Sequence, residues 1–431
     1  MINRITAIKG RQILDSKGRP TIEADVYVND RLMGRATAST GTSVGSHEAL
    51  VLRDNDKNLF GGLSVYKAID NVKTMLEPEL IGMDVSDLAA IDRRMCELDG
   101  TENKTRIGGN AIYAVSLAAA RAGAAAANMP LYQFINKGQI PEKIFVPSLN
   151  MLNGGKYNGL HMTFQEFMVA PYGAASFTDA IRIAVEIFMH MGEKIREFQD
   201  GRAALIGNYQ GWAAFSDDPY VTLQLIHETV KDLGYQDKVC YALDCANSDN
   251  YDKESKKYRY KGDWATREEL ISDLAAITED FPILFIEDGL DEDDFEGFAY
   301  ASSKLNTIIV GDDFLCTNKK RLEKALEMHA CRGMIFKPNQ VGTVTEALES
   351  VKILQERDLY AIPSGRAGGA VDDPTPEIAF GFSAPVIKTG APRSGERTNA
   401  INTMMRIEEE LEGKTVLYDL RHMLEAGKTH L

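Results

Sequence analysis

The chain has 431 residues, 44% hydrophobic and 26% charged, the mixture of a folded globular protein. At roughly 150 residues per domain, that length suggests two or three domains, or one small domain beside a large barrel. Lys and Arg number 48 against 63 Asp and Glu, a formal net charge of −15, which argues against nucleic acid as the main partner because phosphate binding wants clustered basic residues. The five cysteines (Cys96, Cys240, Cys245, Cys316, Cys331) form no C-x-x-C pair. Reduced thiols in a cytoplasmic protein are therefore expected, rather than a disulfide framework or a structural zinc site. No apolar run with a small-residue cleavage site opens the chain, so no secretory leader is expected. The most apolar window, 111–129, is Ala-rich and interrupted by Arg121, too weakly hydrophobic for a membrane span.

In chain order, Asp15-Ser16-Lys17-Gly18-Arg19-Pro20 reads as a turn, and TIEADVYV over Thr21–Val28 alternates as a strand does. Helical patterns follow, the clearest over Ala111–Asn128, ending before Pro130. From about Phe145 the rhythm changes. Short apolar runs (VPSLNML, QEFMVAP, VCYALDCA, ILFIED, TIIVGDD, GMIFKP, LYAIPSG, PVIKTG) alternate with helix-like segments such as Glu268–Glu279, Lys319–Met328 and Val344–Arg357. Sustained alternation predicts a parallel sheet, and this many units favour closure into a barrel. A doubly wound open sheet is the alternative, but neither nucleotide-binding glycine motif stands where that fold would place it.

Several of the apolar runs end in an ionisable residue: Asp244, Glu287 with Asp288, Asp312 with Asp313, Lys337 and Lys388. The C-terminal ends of barrel strands form one rim, where barrel active sites lie. These residues are one or two β/α units apart and should stand side by side there. Three converging carboxylates repel one another unless a cation neutralises them. With oxygen donors only, Mg²⁺ is expected over zinc. A lysine in a cationic, partly desolvated site has its pKa lowered and can remove a proton; a second can hold a carboxylate or a developing oxyanion. The acidic run Asp291–Asp294 is expected to be a solvated helix start.

The blocks LDSKGRPTIE, HEALVLRD, LDGTENKTRIGGNAI, NMLNGG, QEFMVAP, GDDFLCTN, NQVGTVTEAL, IKTGAP and RIEEEL together resemble the enolase (phosphopyruvate hydratase) family over essentially the whole chain. The resemblance implies an α/β fold: a smaller α+β N-terminal capping domain, residues 1–137, followed by an eight-stranded β/α (TIM-type) barrel, residues 138–431. Residue by residue, Asp244, Glu287 and Asp312 resemble the ligands of a first Mg²⁺. Ser43 resembles the loop serine that helps bind a second ion, itself brought with the substrate. Lys337 resembles the base that takes the proton α to the carboxylate, Lys388 the carboxylate-side lysine, and Arg366 the phosphate-binding arginine, suited by its planar fork. Gln165 and Glu166 match the QEF block, whose Glu works on the side of the leaving hydroxyl.

The departures from the family gather in the same pocket. Where the family reads GGSHAG this chain has GGKYNG, so a histidine is replaced by Tyr157; for GDEGG it has GNYQG, so the usual acid is Tyr209. For SHRSG it has SGRAG, so a second histidine is Gly365 and a phosphate-contacting serine is Ala367; Pro338 follows Lys337 in place of an apolar residue. The resemblance thus implies a Mg²⁺-dependent lyase acting on 2-phosphoglycerate and phosphoenolpyruvate through a metal-stabilised enolate, with a modified dehydration acid. One alternative is a phosphoenolpyruvate-using transferase similar to the relatives that make carboxyphosphonoenolpyruvate, with Gly365, Gly368 and Gly369 leaving room for a second substrate. The other is a non-catalytic, enolase-shaped binding protein. The partners implied are a small phosphorylated carboxylate and further copies of the chain, a dimer or higher, with neither nucleic acid nor membrane.

Overall fold

The computed structural model describes residues 3–41, 45–155, 162–201, 204–207 and 209–429. At the start of the chain, two tight turns divide three extended runs, β1 (Ile5–Leu14), β2 (Pro20–Val28) and β3 (Arg31–Thr37), into an antiparallel meander. The first turn is closed by the Asp15 carboxylate, which accepts from the backbone N–H of Lys17 and of Arg19 at 2.9 Å each. Asn29 and Asp30 make the second, both at positive φ (50° and 63°), the backbone that a two-residue hairpin favours. After α1 (Leu88–Asp99), the Ala-rich segment forms α2 (Gly109–Ala126) and lies on this sheet. A Cβ on Gly34 of β3 would stand 2.0 Å from the Ala118 carbonyl oxygen, so sheet and helix meet backbone to backbone. Small side chains in α2 permit that approach, which accounts for the weakly hydrophobic window in the sequence. Among the described residues, no helix is long and apolar enough to cross a membrane.

From Val146 the chain builds a barrel. Its strands are β4 (Val146–Gly155), β5 (Met162–Ala170), β6 (Cys240–Asp244), β7 (Ile283–Glu287), β8 (Ile308–Gly311), β9 (Gly333–Phe336), β10 (Tyr360–Pro363) and β11 (Val386–Gly390). Each apolar run singled out in the sequence is one of these strands. They lie in the order β10-β9-β8-β7-β6-β5-β4-β11, and a parallel bridge between Ser364 and Lys388 closes the ring. The connecting helices are α3 (Phe177–Phe198), α4 (Pro219–Asp232), α5 (Arg267–Asp280), α6 (Phe295–Ser302), α7 (Lys319–Glu327), α8 (Val344–Gln355), α9 (Thr375–Gly381) and α10 (Gly395–Leu411). The predicted helices over 268–279, 319–328 and 344–357 coincide with α5, α7 and α8.

The sheet is not parallel throughout, which corrects the expectation from alternation. β5 runs antiparallel to both β4 and β6. Only 156–161 separates β4 from β5, and a parallel crossover needs a dozen or more residues, so these neighbours can pair only antiparallel. Val146, Met168, Ala242, Phe285, Val310, Ile335, Ile362 and Val386, one from each strand, join a cluster of buried residues with Leu420 and Met423. A barrel filled in this way receives ligands at a rim, not through its axis.

Candidate active site

Strand register decides which charged side chains meet. Glu287 at the end of β7 is the Cα partner of Asp244 on β6 and of Val310 on β8, two residues before Asp312. Lys337 directly follows β9, and Lys388 lies within β11. On antiparallel β5, Glu166 is the partner of Asp244, so a mid-strand residue reaches the same level. Lys388 Nζ lies 3.0 Å from Glu166 Oε2 and 3.0 Å from Asp244 Oδ2, and it also pairs with Glu287. Lys337 pairs with Asp312. Gln165 Nε2 donates to Asp244 Oδ2 at 3.1 Å, and the Tyr209 hydroxyl stands 3.5 Å from Gln165 Oε1. Arg366, Lys388, Lys337, Tyr209, Gln165, Glu166, Asp244 and Asp312 line one pocket. Ser43 and Tyr157 lie outside the described residues.

The charges are strongly coupled. Burial, reinforced by Asp244, pushes the Glu287 carboxyl well above its ordinary range. Burial works against the Lys388 ammonium, but Asp244, Glu287 and Glu166 outweigh it and raise its pKa well above the usual value. Lys337 behaves the same way. Burial opposes its charge, yet Asp312 raises its pKa. The expectation of a lowered lysine pKa is therefore reversed in the protein chain by itself, because the acid beside Lys337 is its direct partner. A cation on Asp312 would withdraw that partner and favour the neutral amine.

Asp288 is pushed up to about 8 by burial and then by Asp312. Its two oxygens accept from the backbone N–H of Asp312 at 2.8 Å and of Asp313 at 2.7 Å, which fixes the turn carrying Asp312. The run Asp291–Asp294 is not simply solvated. Asp294 caps α6, as a helix start should, but Asp291 is buried. Glu292 and Asp293 reach across to Ser46 and His47.

Asp244, Glu287 and Asp312 offer hard oxygen donors, and Glu287 Oε1 is a buried oxygen with no hydrogen-bond partner among the described residues. An anionic oxygen so placed is stable when a cation faces it. These three residues fit a Mg²⁺ ion. Carboxylate oxygens of Asp288, Asp312 and Asp313, all within 4.8 Å of one another, form a second grouping that shares Asp312.

Around Arg366 the structure adds residues that the sequence did not single out. Its guanidinium is buried and paired with Glu48, and Gln340 Nε2 donates to Asp312 Oδ1 at 2.8 Å. Both stand in blocks that carry the resemblance, HEALVLRD and NQVGTVTEAL, which was the only signal available. At Gly365, which lines the same pocket, an added Cβ would meet Arg397 Nη1 at 3.2 Å among the described residues.

An α+β domain joined to a β/α barrel, with acids and lysines converging on the strand ends, defines the class: a barrel protein with a charged pocket at its strand-end rim. The family model described as "Enolase, N-terminal domain" matches residues 5–135, and "Enolase, C-terminal TIM barrel domain" matches residues 142–426. A relative named enolase from Methanopyrus kandleri is 40% identical over 414 residues, 95% of this chain and 96% of its own length. Enolases from Methanococcus aeolicus, 41% identical over 411 residues, and Methanocaldococcus jannaschii, 40% over 410, each cover 94% of this chain and 95% of their own length. The chain belongs to the enolase family.

Proposed function

We propose that the chain is a Mg²⁺-dependent carbon–oxygen lyase that interconverts 2-phosphoglycerate and phosphoenolpyruvate, with an altered supply of the proton that accompanies hydroxide departure. The carrying observation is the convergence of Asp244, Glu287 and Asp312 with Lys337 and Lys388 on one rim. Bound at the three acids, Mg²⁺ would supply positive charge beside the substrate carboxylate as it gains a second negative charge. Lys337 takes the C2 proton, Lys388 holds a carboxylate oxygen, and the Arg366 fork receives the phosphate. The C3–O bond then breaks, and the departing hydroxide takes a proton from the side of Glu166 and Tyr209. A phenol near pKa 10 is a weaker acid than a tuned carboxyl, so this half of the reaction is the slower one. Gln165 orients Asp244; by resemblance, Ser43 serves a second ion and Tyr157 contacts substrate. The cytoplasmic, homo-oligomeric reading rests on family membership.

Gly365, a pocket residue without a side chain where the family resemblance implies a histidine, favours a second reading, in which phosphoenolpyruvate reacts with a second substrate without loss of water. An assay for phosphoenolpyruvate formation from 2-phosphoglycerate with Mg²⁺, run beside a glycolytic enolase, tests the first reading. Product forming with Mg²⁺, more slowly than with the glycolytic enzyme, supports it. Binding of phosphoenolpyruvate with no product would shift the assignment to the transferase, and neither binding nor product to a non-catalytic protein.

A further inference from the structure

Glu48 is a buried acid whose carboxylate is directed at two residues of the site. It is 6% exposed, and it meets Arg366 fork to fork, with Nη1 3.1 Å from Oε2 and Nη2 3.0 Å from Oε1. Oε1 also accepts from the Gly45 backbone N–H at 3.2 Å and from Gln340 Nε2 at 3.4 Å. The same Gln340 Nε2 donates to Asp312 Oδ1 at 2.8 Å, while Thr317 Oγ1 holds the other end of the amide by donating to Gln340 Oε1 at 2.9 Å. One continuous hydrogen-bonded chain thus runs from Arg366 through Glu48 and Gln340 to Asp312 and on to Lys337.

We infer that Glu48 is a positioning residue: it sets the plane of the Arg366 guanidinium and, through Gln340, the orientation of the Asp312 carboxylate. The inference rests on Arg366 being the anion-binding group. An arginine without such a brace must give up rotamer freedom when its ligand arrives, and that loss weakens binding. Pairing with Glu48 occupies two of the five guanidinium N–H donors and holds the rest in a fixed plane. The sign of the effect separates this role from two others. Glu48 partly cancels the Arg366 charge, so by Coulomb attraction alone its neutralisation should tighten anion binding. A merely structural brace would lower the melting temperature and leave affinity unchanged.

Titration calorimetry of phosphoenolpyruvate with Mg²⁺ present decides among them. Glu48→Gln is expected to weaken binding by about tenfold, because an amide cannot accept from both guanidinium arms. Glu48→Asp keeps the charge and guards against loss of folding, and it should weaken binding several-fold by shortening the reach. In an Arg366→Ala background, Glu48→Gln should cause no further loss. Unchanged or tighter binding in both Glu48 variants, with binding lost in Arg366→Ala, overturns the inference while leaving the Arg366 assignment standing. Wild-type affinity in Arg366→Ala overturns that assignment and the inference with it.

Discussion

The two walls of the pocket are built from different parts of the fold. Asp244, Glu287, Asp312, Lys337 and Lys388 stand on barrel strands or directly after them, where backbone pairing fixes their height and direction. Tyr209 and Gly365 stand on connections between strands. Of the departures read from the family resemblance, Tyr209, Gly365 and Ala367 belong to the second wall, and Pro338 directly follows Lys337 on the first. Connections tolerate change because they carry few packing constraints, whereas a strand-end residue is tied to the core beneath it. Glu166 is the exception on the acid side: it sits on β5, and Lys388 holds it. On the proposed reading, proton removal and hydroxide departure rest on different parts of one scaffold and are open to separate modification.

The largest effect should come from the first wall. Lys337→Ala removes the proposed base and should lower exchange of the C2 proton of 2-phosphoglycerate by about 10²–10⁴, as read by NMR in D₂O; exchange surviving unchanged would place the base elsewhere. Next, Mg²⁺ at about 100 times its Kd should stabilise the protein by roughly 2.7 kcal/mol. Asp312→Ala should abolish that gain in thermal unfolding while the barrel stays folded. Arg366→Ala should weaken phosphoenolpyruvate binding by about 1.5–3 kcal/mol by calorimetry, whatever happens at the acid wall.

The smallest effect on activity lies outside both walls and serves as a control. Asp92 on α1 accepts from the Thr345 backbone N–H at 3.0 Å, and burial pushes its carboxyl up to about 6. A raised carboxyl pKa means the folded state holds a proton that the unfolded state releases. Stability is therefore lost as pH rises from about 4 to about 6, by about 2 kcal/mol. Asp92→Asn should match the wild type near pH 4 and exceed it by that amount above pH 6 in denaturant unfolding, with unchanged turnover.

Much of the first wall was legible in the sequence. A strand end in a parallel barrel is marked by an apolar run stopping at a charged residue, so Asp244, Glu287, Asp312, Lys337 and Lys388 could be placed before any coordinates. That rule fails for β5, because an antiparallel strand presents the rim level at its middle. Glu166 therefore carries no positional signal, and only family resemblance pointed to it. Glu48 lies 318 residues from Arg366 in the chain, a pairing no local pattern reveals. Asp291 was misplaced for a similar reason: it reads as one of a solvated run, yet the fold buries it.

The division between the walls is tested most directly by following two rates on one substrate. Solvent exchange at C2 of 2-phosphoglycerate, by NMR in D₂O, reports proton removal, and ultraviolet absorbance of phosphoenolpyruvate reports completed elimination. The account predicts that exchange outruns product formation, and that Tyr209→Glu raises product formation more than exchange. Turnover equal to that of a glycolytic enolase, with no excess exchange, would contradict it.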